Sequence, residues 1–412
     1  MKILFLTDNF PPEVNASASR VYERACYWVK WGYEVTVITC APNYPQGKVY
    51  PGYKNKWYQV EIIDGIRVVR VKTFITKNEG FMLRVIDFLS YMVMAFFAGL
   101  VQAKPDVIVA TSPQFFAAVG GWALAGVRRV PFIFELGDLW PASIAAVGAM
   151  KPSFSLRMLE KVELFLYRRA AAIVALTQSF KDDLINRGIN ADKIAVVING
   201  VDLPRYSPKP KDAALLAQYH LQNKFVIGYL GTHGMAHGLE NILLAANSLQ
   251  DHKQIIILFV GDGAEREQLI ATAAKMRLNN VIFIPAQAKA DIPNFWSICD
   301  VALVHLKNSE VFTTVIPSKI FEAMAMGLPI ILAAPTGEAS DIIVNERVGI
   351  WVEAAQPQAL ANAIVTLAND KALCATYAQM SIKMAPQHSR EYQARAMLNV
   401  LENVNRRCKG KL

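Results

Sequence analysis

Short apolar runs recur along the chain at intervals that leave room for a helix between them. In the first half they are KILFLT, EVTVIT, DVIVAT, PFIFEL and AAIVALT, and IIDGIRVVRVK adds an alternating strand or hairpin. After Val201 the rhythm restarts with FVIGYLG, QIIILFVG, NVIFIPA, DVALVHL and PIILAA. Continuous apolar runs of this length suit strands buried on both faces, as in a parallel sheet covered by helices. Two such series predict an α/β protein of two doubly wound, Rossmann-like parallel-sheet domains facing a central cleft. The boundary is expected in VINGVDLPRYSPKPKD, Val197 to Asp212, which holds three prolines and mixed charge but no long apolar run. One domain then spans 1–200 and the other 201–388. In residues 389–412, Ala396, Val400 and Val404 fall at helical spacing before a basic end, which predicts a closing helix able to pack back on the first domain.

Composition narrows the class. With 412 residues, 53% of them hydrophobic and 19% charged, the chain can bury two cores and is not a disordered polymer. The net charge of +9 is uneven: residues 1–200 hold 23 Lys+Arg against 16 Asp+Glu, and the remainder hold 20 against 18. An excess of +7 in the first half suggests an acidic partner there. The segment YPQGKVYPGYKNKWYQ, Tyr44 to Gln59, interleaves lysines with Tyr50, Tyr53, Trp57 and Tyr58, a pattern suited to an anionic membrane surface. A similar mixture serves single-stranded nucleic acid, but no nucleic-acid partner is expected here. Val85 to Val101 carries Asp87 and falls short of the roughly 20 residues that a membrane span needs, so a buried or interfacial helix is expected. The start, MKILFLTDNFPPE, has too short an apolar run for a signal peptide and reads as a first buried strand. Five widely spaced cysteines read as reduced thiols of a cytoplasmic protein.

Two stretches carry candidate chemistry. GYLGTHGMAHGLENI reads as a strand, a glycine-rich turn and a helix, an arrangement that lets backbone N–H groups approach a phosphate. The turn contains no lysine or arginine; its basic candidates are His233 and His237. In VIPSKIFEAMAMGLPII, Lys319 and Glu322 stand three apart on one helix face, with Ser318 as the expected N-cap. Lys319 and free N–H groups at the helix start would hold an anion, and Glu322 would accept hydrogen bonds from a ribose. The plainer reading is a surface ion pair worth under about 1 kcal/mol. If both stretches meet at the C-terminal edge of one sheet, where open α/β sheets bind ligands, Lys319 supplies the charge that the turn lacks.

Other chemistries have no foothold. No G-x-G-x-x-G follows the first strand, no G-x-S-x-G is present, and no D-x-D, H-E-x-x-H or Cys/His cluster offers a metal site, so neither a metal nor a cofactor is expected. His220, His252, His305 and His388 are expected to be surface or satisfied core groups.

As an ordered set, NGVD, GYLGTHGMAHGLENI, VGDG, IPAQAKADIPNFWSICDVALV and PSKIFEAMAMGLPII, with FPPE and ELGDLWPAS in the first half, resemble the GT-B glycosyltransferases of family 4. Within that family the chain is most similar to bacterial O-antigen and capsule N-acetyl-L-fucosamine transferases. The resemblance spans nearly the whole chain. It implies transfer of a hexosyl group from a UDP-linked donor to a lipid-diphosphate-linked saccharide, with retention of configuration, by a cytoplasmic protein held peripherally at the inner face of the cell membrane. By the same resemblance, Gly231, Thr232 and Gly234 approach the donor diphosphate, and Gly261, Asp262 and Gly263 line the same cleft. Phe283, Ile284 and Pro285 hold the nucleobase through backbone groups. Ser318 and Lys319 bind the diphosphate, Glu322 binds the ribose, and His233 assists Lys319 in stabilising the leaving group. Asn9, Asn15 and Ser17, with Asp138, face the acceptor and the reacting centre.

The chain departs from the family pattern in three places. Thr232 and His237 stand near the positions of an arginine and a lysine. Thr314 stands where many members have a glutamate eight residues before the one at 322. Asn15 and Ala16 replace a glycine pair. Two further readings stay open on these residues: a GT-B-like sugar-nucleotide epimerase or hydrolase, and a non-catalytic scaffold that keeps the cleft, which Thr314 favours.

Overall fold

The computed structural model describes residues 1–13, 15–44, 46–76, 81–112, 115–139 and 154–410. The chain forms two units, Met1–Asn199 with Gln393–Leu412, and Gly200–Tyr392.

The first unit is built on an eight-stranded sheet of order β3-β4-β2-β1-β5-β6-β7-β8. Its strands are β1 (Lys2–Leu6), β2 (Glu34–Cys40), β3 (Tyr58–Ile63), β4 (Ile66–Val71), β5 (Val107–Thr111), β6 (Phe132–Leu136), β7 (Ala172–Ala175) and β8 (Ile194–Val196). All neighbours run parallel except β3 and β4. Those two form the hairpin expected from IIDGIRVVRVK, turning through Asp64 and Gly65 with positive φ at both positions (48° and 80°). Every residue of β5 and β6 is buried, the physical reason their sequences are apolar without alternation.

Helix α1 (Ala16–Lys30) starts at Asn15, whose side chain accepts from Ala18 N–H, and it buries Ala18, Val21, Ala25 and Trp28 at helical spacing. The closing helix Arg390–Lys409 lays Met397, Leu398, Leu401 and Val404 into the same core, and Trp28 Nε1–H donates to Ala394 O at 2.9 Å. Helix α2 (Phe81–Leu100) buries Tyr91, Ala95 and Ala98. Its other side leaves Leu83, Ile86, Leu89, Val93 and Phe97 exposed, an apolar stripe that faces no protein. By length and composition Leu83–Leu100 could cross a membrane, but its inner side belongs to this core.

The second unit holds an all-parallel sheet of order β11-β10-β9-β12-β13-β14. Its strands are β9 (Phe225–Leu230), β10 (Ile255–Val260), β11 (Val281–Ile284), β12 (Val301–His305), β13 (Ile330–Ala333) and β14 (Gly349–Val352). The strand order reverses between β9 and β12 here, and between β1 and β5 in the first unit. Loops leaving the C-terminal ends of those strands are where open α/β sheets hold ligands. β8 and β14 were not among the runs expected to be strands. Each is an edge strand of three or four residues, too short to establish a pattern.

Candidate active site

In the second unit the chain leaves β9 and turns at once through Gly231, at φ 142°. A Cβ there would stand 2.4 Å from Lys319 Cε and 2.6 Å from Nζ, so the lysine occupies the space a side chain would need. Gly261, at φ 153° after β10, is restricted likewise: its Cβ would fall 1.9 Å from Gly231 O. The two turns are joined by Gly231 N–H donating to Val260 O and His233 N–H donating to Asp262 O, each at 2.8 Å. Lys319 enters from the first residue of the helix Lys319–Ala325, and its ammonium lies 3.9 Å from the centroid of the Tyr229 ring. That is a cation–π contact. Burial pulls the ammonium down to about 7, and the nearby Glu322 offsets this only in part.

The histidines of the turn carry no charge at neutral pH. His233 is fully buried among Tyr229, Phe259 and Phe283, and neither ring nitrogen has a partner. Burial, then the charges of Arg266 and Lys319, lower it to about 4. As a neutral ring it can offer a leaving diphosphate one N–H but no charge. His237 and His305 lock the loops after β9 and β12 together. Asn241 Nδ2 donates to His305 Nε2 at 2.8 Å, which leaves His305 Nδ1–H to donate to His237 O at 2.6 Å. Burial lowers both to about 4. Thr232 and Asp262 are exposed beside the turn, and Asp262 Oδ1 accepts from Gly263 N–H at 2.8 Å.

The helix start differs from expectation. Ser318 is exposed, has helical backbone angles and makes no side-chain cap bond. Ile320 N–H donates to Pro317 O and Phe321 N–H to Ser318 O, both at 3.1 Å, so these two first-turn donors are already engaged. Glu322 is no surface ion pair with Lys319. It accepts from Trp296 Nε1–H at 3.4 Å and bonds the Tyr206 hydroxyl, and burial raises its carboxyl above the usual range. Along β11, Ile284 is buried and its carbonyl accepts from Gly261 N–H at 3.0 Å, and Pro285 O accepts from Gln287 Nε2 at 2.9 Å. Those two carbonyls are therefore partly engaged before any base arrives. Phe283 stacks on Phe259, with centroids 4.9 Å apart. Thr314 donates its hydroxyl to Val311 O at 3.4 Å, within its own loop.

In the first unit, Asn9 and Asn15 meet. Asn15 Nδ2 donates to Asn9 Oδ1 at 3.0 Å, and Asn9 Nδ2 donates to Asp8 Oδ1 at 2.9 Å. Burial, with Glu13 and Asp87 nearby, pushes the Asp8 carboxyl well above its ordinary value. Ser17 Oγ is buried without a partner. Asp138 follows β6 on the same sheet edge, its carbonyl accepting from Ser112 Oγ at 3.3 Å. Trp140 to Ser143, the rest of ELGDLWPAS, and Val14 lie outside the described residues.

The fold has close counterparts. Anabaena Alr3699/HepE, solved with UDP, aligns at a TM-score of 0.72 with 20% identity, covering 98% of this chain and 100% of that one. Residues 17–205 match the model described as Glycosyltransferase Family 4, and residues 215–384 match Glycosyl transferases group 1. The chain has the GT-B fold, and each half matches a glycosyltransferase model, family 4-like in the first. Among its relatives is Escherichia coli WcaI, named for glycosyl transfer in colanic acid biosynthesis, at 29% identity over 79% of this chain and 82% of that one. Another is a GDP-mannose-dependent alpha-mannosyltransferase of Mycobacterium tuberculosis, at 24% identity over 93% and 92% of the two chains.

The second unit gathers Gly231, Thr232, His233, Gly261, Asp262 and Lys319 around one turn. Gly234 continues the turn, whereas Ser318 stands exposed at the helix start and Glu322 is turned to Trp296 and Tyr206. Sequence reasoning passed over Tyr229, Trp296, Tyr206 and Asp8. Tyr229 and Trp296 look like ordinary core aromatics until the tertiary fold puts Lys319 over one and Glu322 beside the other. Asp8, directly before Asn9, had the clearest signal: a carboxylate at the end of an otherwise apolar strand.

Proposed function

We propose that this transferase moves a sugar, N-acetyl-L-fucosamine, from a UDP-linked donor to a lipid-diphosphate-linked saccharide in O-antigen or capsule synthesis. The observation that carries the donor site is Lys319. Its ammonium fills the space left by Gly231 at the β9–β12 switch point, where open α/β sheets hold ligands. Leaving UDP develops negative charge as the glycosidic bond breaks, and a preorganised cation stabilises that charge more than it stabilises the ground state. In this reading His233, Thr232, Gly234, Gly261 and Asp262 serve the diphosphate from that turn and Ser318 from the start of the Lys319 helix. Phe283 and Ile284 flank the base, and Glu322 takes the ribose by exchanging its bonds to Trp296 and Tyr206. Asn9, Asn15, Ser17 and Asp138 serve the acceptor. Retention of configuration and independence of metal are part of this reading, which draws on the family resemblance.

The choice of uridine finds support in HepE, whose structures hold UDP and UDP-glucose. The reading also makes the protein peripheral to the inner, anionic face of the cell membrane. The exposed stripe on α2 and the exposed Trp57 and Tyr58, beside Lys48, Lys54 and Lys56, support this. Thermal denaturation with UDP-, GDP- and dTDP-linked sugars tests the donor. A ligand that binds only the native state at about a hundred times its Kd adds about 2.7 kcal/mol. The uridine series should raise Tm most. A GDP-sugar ranking first would overturn the choice of donor, and no shift with any nucleotide would favour a scaffold.

A further inference from the structure

Beneath the C-terminal edge of the first sheet lies a charged cluster for which donor chemistry has no use. Glu135, the fourth residue of β6, is fully buried and receives two guanidinium groups from α1. Arg24 Nη1 donates to Glu135 Oε1 at 2.5 Å, and its remaining reach goes to Met397 Sδ and to the carbonyls of Val197 and Ile198. Arg20 Nε donates to the same oxygen at 3.1 Å. One carboxylate thus serves two cations. Arg24 is fully engaged, whereas Arg20, only 5% exposed, leaves Nη2 buried with no partner.

Three features give that unpartnered group a direction. Gly137, immediately after β6, would place a Cβ 2.9 Å from Arg20 Nη2 and 2.5 Å from Ser112 O, so only a glycine fits beside this guanidinium nitrogen. Ser17, one turn before Arg20 on the same face of α1, has a buried hydroxyl that is also unpartnered. Both residues sit in the first turns of a 15-residue helix, whose N-terminus favours negative charge. A planar guanidinium with free N–H groups, a hydroxyl donor and a helix start together suit a tetrahedral oxyanion.

We propose that Arg20 and Ser17, beside Gly137, form a phosphoryl-binding site in the first unit that receives the diphosphate of the acceptor. Its assignment to the acceptor rests on the function proposed above; the anion site itself does not. A structural alternative, Arg20 as a second counterion to Glu135, accounts for Nε but leaves Nη2 and the Ser17 hydroxyl without a partner.

The test uses the full chain saturated with UDP, so that the second unit is occupied, and titrates inorganic pyrophosphate by calorimetry. Wild type should bind pyrophosphate with UDP in place. Arg20→Gln should weaken that binding on the order of tenfold to a hundredfold, the usual effect of losing a charge-assisted hydrogen bond, with UDP affinity unchanged. Ser17→Ala keeps every charge and removes only the unpartnered hydroxyl, and should weaken it as well; it decides the matter if Arg20→Gln folds poorly. In turnover assays both variants should raise KM for the lipid-linked acceptor and leave donor KM alone. Pyrophosphate that binds only when UDP is absent would overturn the proposal. So would Arg20→Gln that loses thermal stability but binds pyrophosphate as wild type does. Pyrophosphate binding that survives UDP and depends on Arg20, in a protein that transfers no sugar, would keep the site and refute the acceptor reading.

Discussion

Lys319 titrates near neutrality in the unliganded protein, and this makes donor affinity depend on pH. Its folded value, about 7, lies far below the usual lysine value because burial disfavours the ammonium. A diphosphate against Nζ favours the charged form and drives a proton back onto the amine. Affinity must therefore fall as pH rises above about 7. If the protonated form alone binds tightly, about half of the molecules are competent at pH 7 and roughly 3% at pH 8.5, an upper limit of about 15-fold in Kd. UDP titrations by calorimetry across that range, repeated in two buffers of different ionisation enthalpy, read both the affinity and the proton uptake. Uptake should approach one proton per UDP at the high end. Lys319→Met should bind weakly with no pH dependence above 7. Wild-type affinity that stays flat from pH 7 to 8.5 without proton uptake would refute the buried-amine argument.

Other consequences follow from the same geometry. Gly231→Ala forces a methyl against Lys319 Cε at a backbone angle that disfavours any side chain, so it should cost about 1–3 kcal/mol of stability and more than tenfold in UDP affinity, read by denaturant melts and calorimetry. Sugar transfer should survive EDTA; loss on chelation with recovery on adding Mg²⁺ or Mn²⁺ would count against a lysine-based mechanism. Lys48, Lys54 and Lys56 replaced together by glutamate should reduce sedimentation with anionic liposomes at low salt, by about 1 kcal/mol for each lysine removed. Leu89→Glu with Phe97→Glu should reduce it at high salt too, and neither set should change UDP affinity.

Strands and the two-fold repeat of β–α units were legible because parallel strands buried on both faces are predominantly apolar, as β5 and β6 are apart from Thr111 and the paired Glu135. β8 and β14 were not, since three or four residues at a sheet edge carry no period. In the candidate site, the glycine turn and Lys319 could be paired from sequence because each alone lacked what the other supplied. The ionisation state of that pair could not be read. Burial lowers both Lys319, which lies over Tyr229, and His233, which sits among Tyr229, Phe259 and Phe283, aromatics that only the β9–β10–β11 register brings together. The helix start misled for a local reason: Pro317 and Ser318 carbonyls take the N–H groups that Ser318 was expected to leave open.

The most direct test of the account combines purified enzyme, UDP-N-acetyl-L-fucosamine and a short-chain lipid-diphosphate saccharide, and follows the acceptor by mass spectrometry. The account predicts that the acceptor gains one sugar residue while an equal amount of UDP appears, and that Lys319→Ala lowers this by about a hundredfold or more. UDP or free sugar released equally fast without the acceptor, or an acceptor of unchanged mass with the donor fully bound, would contradict it.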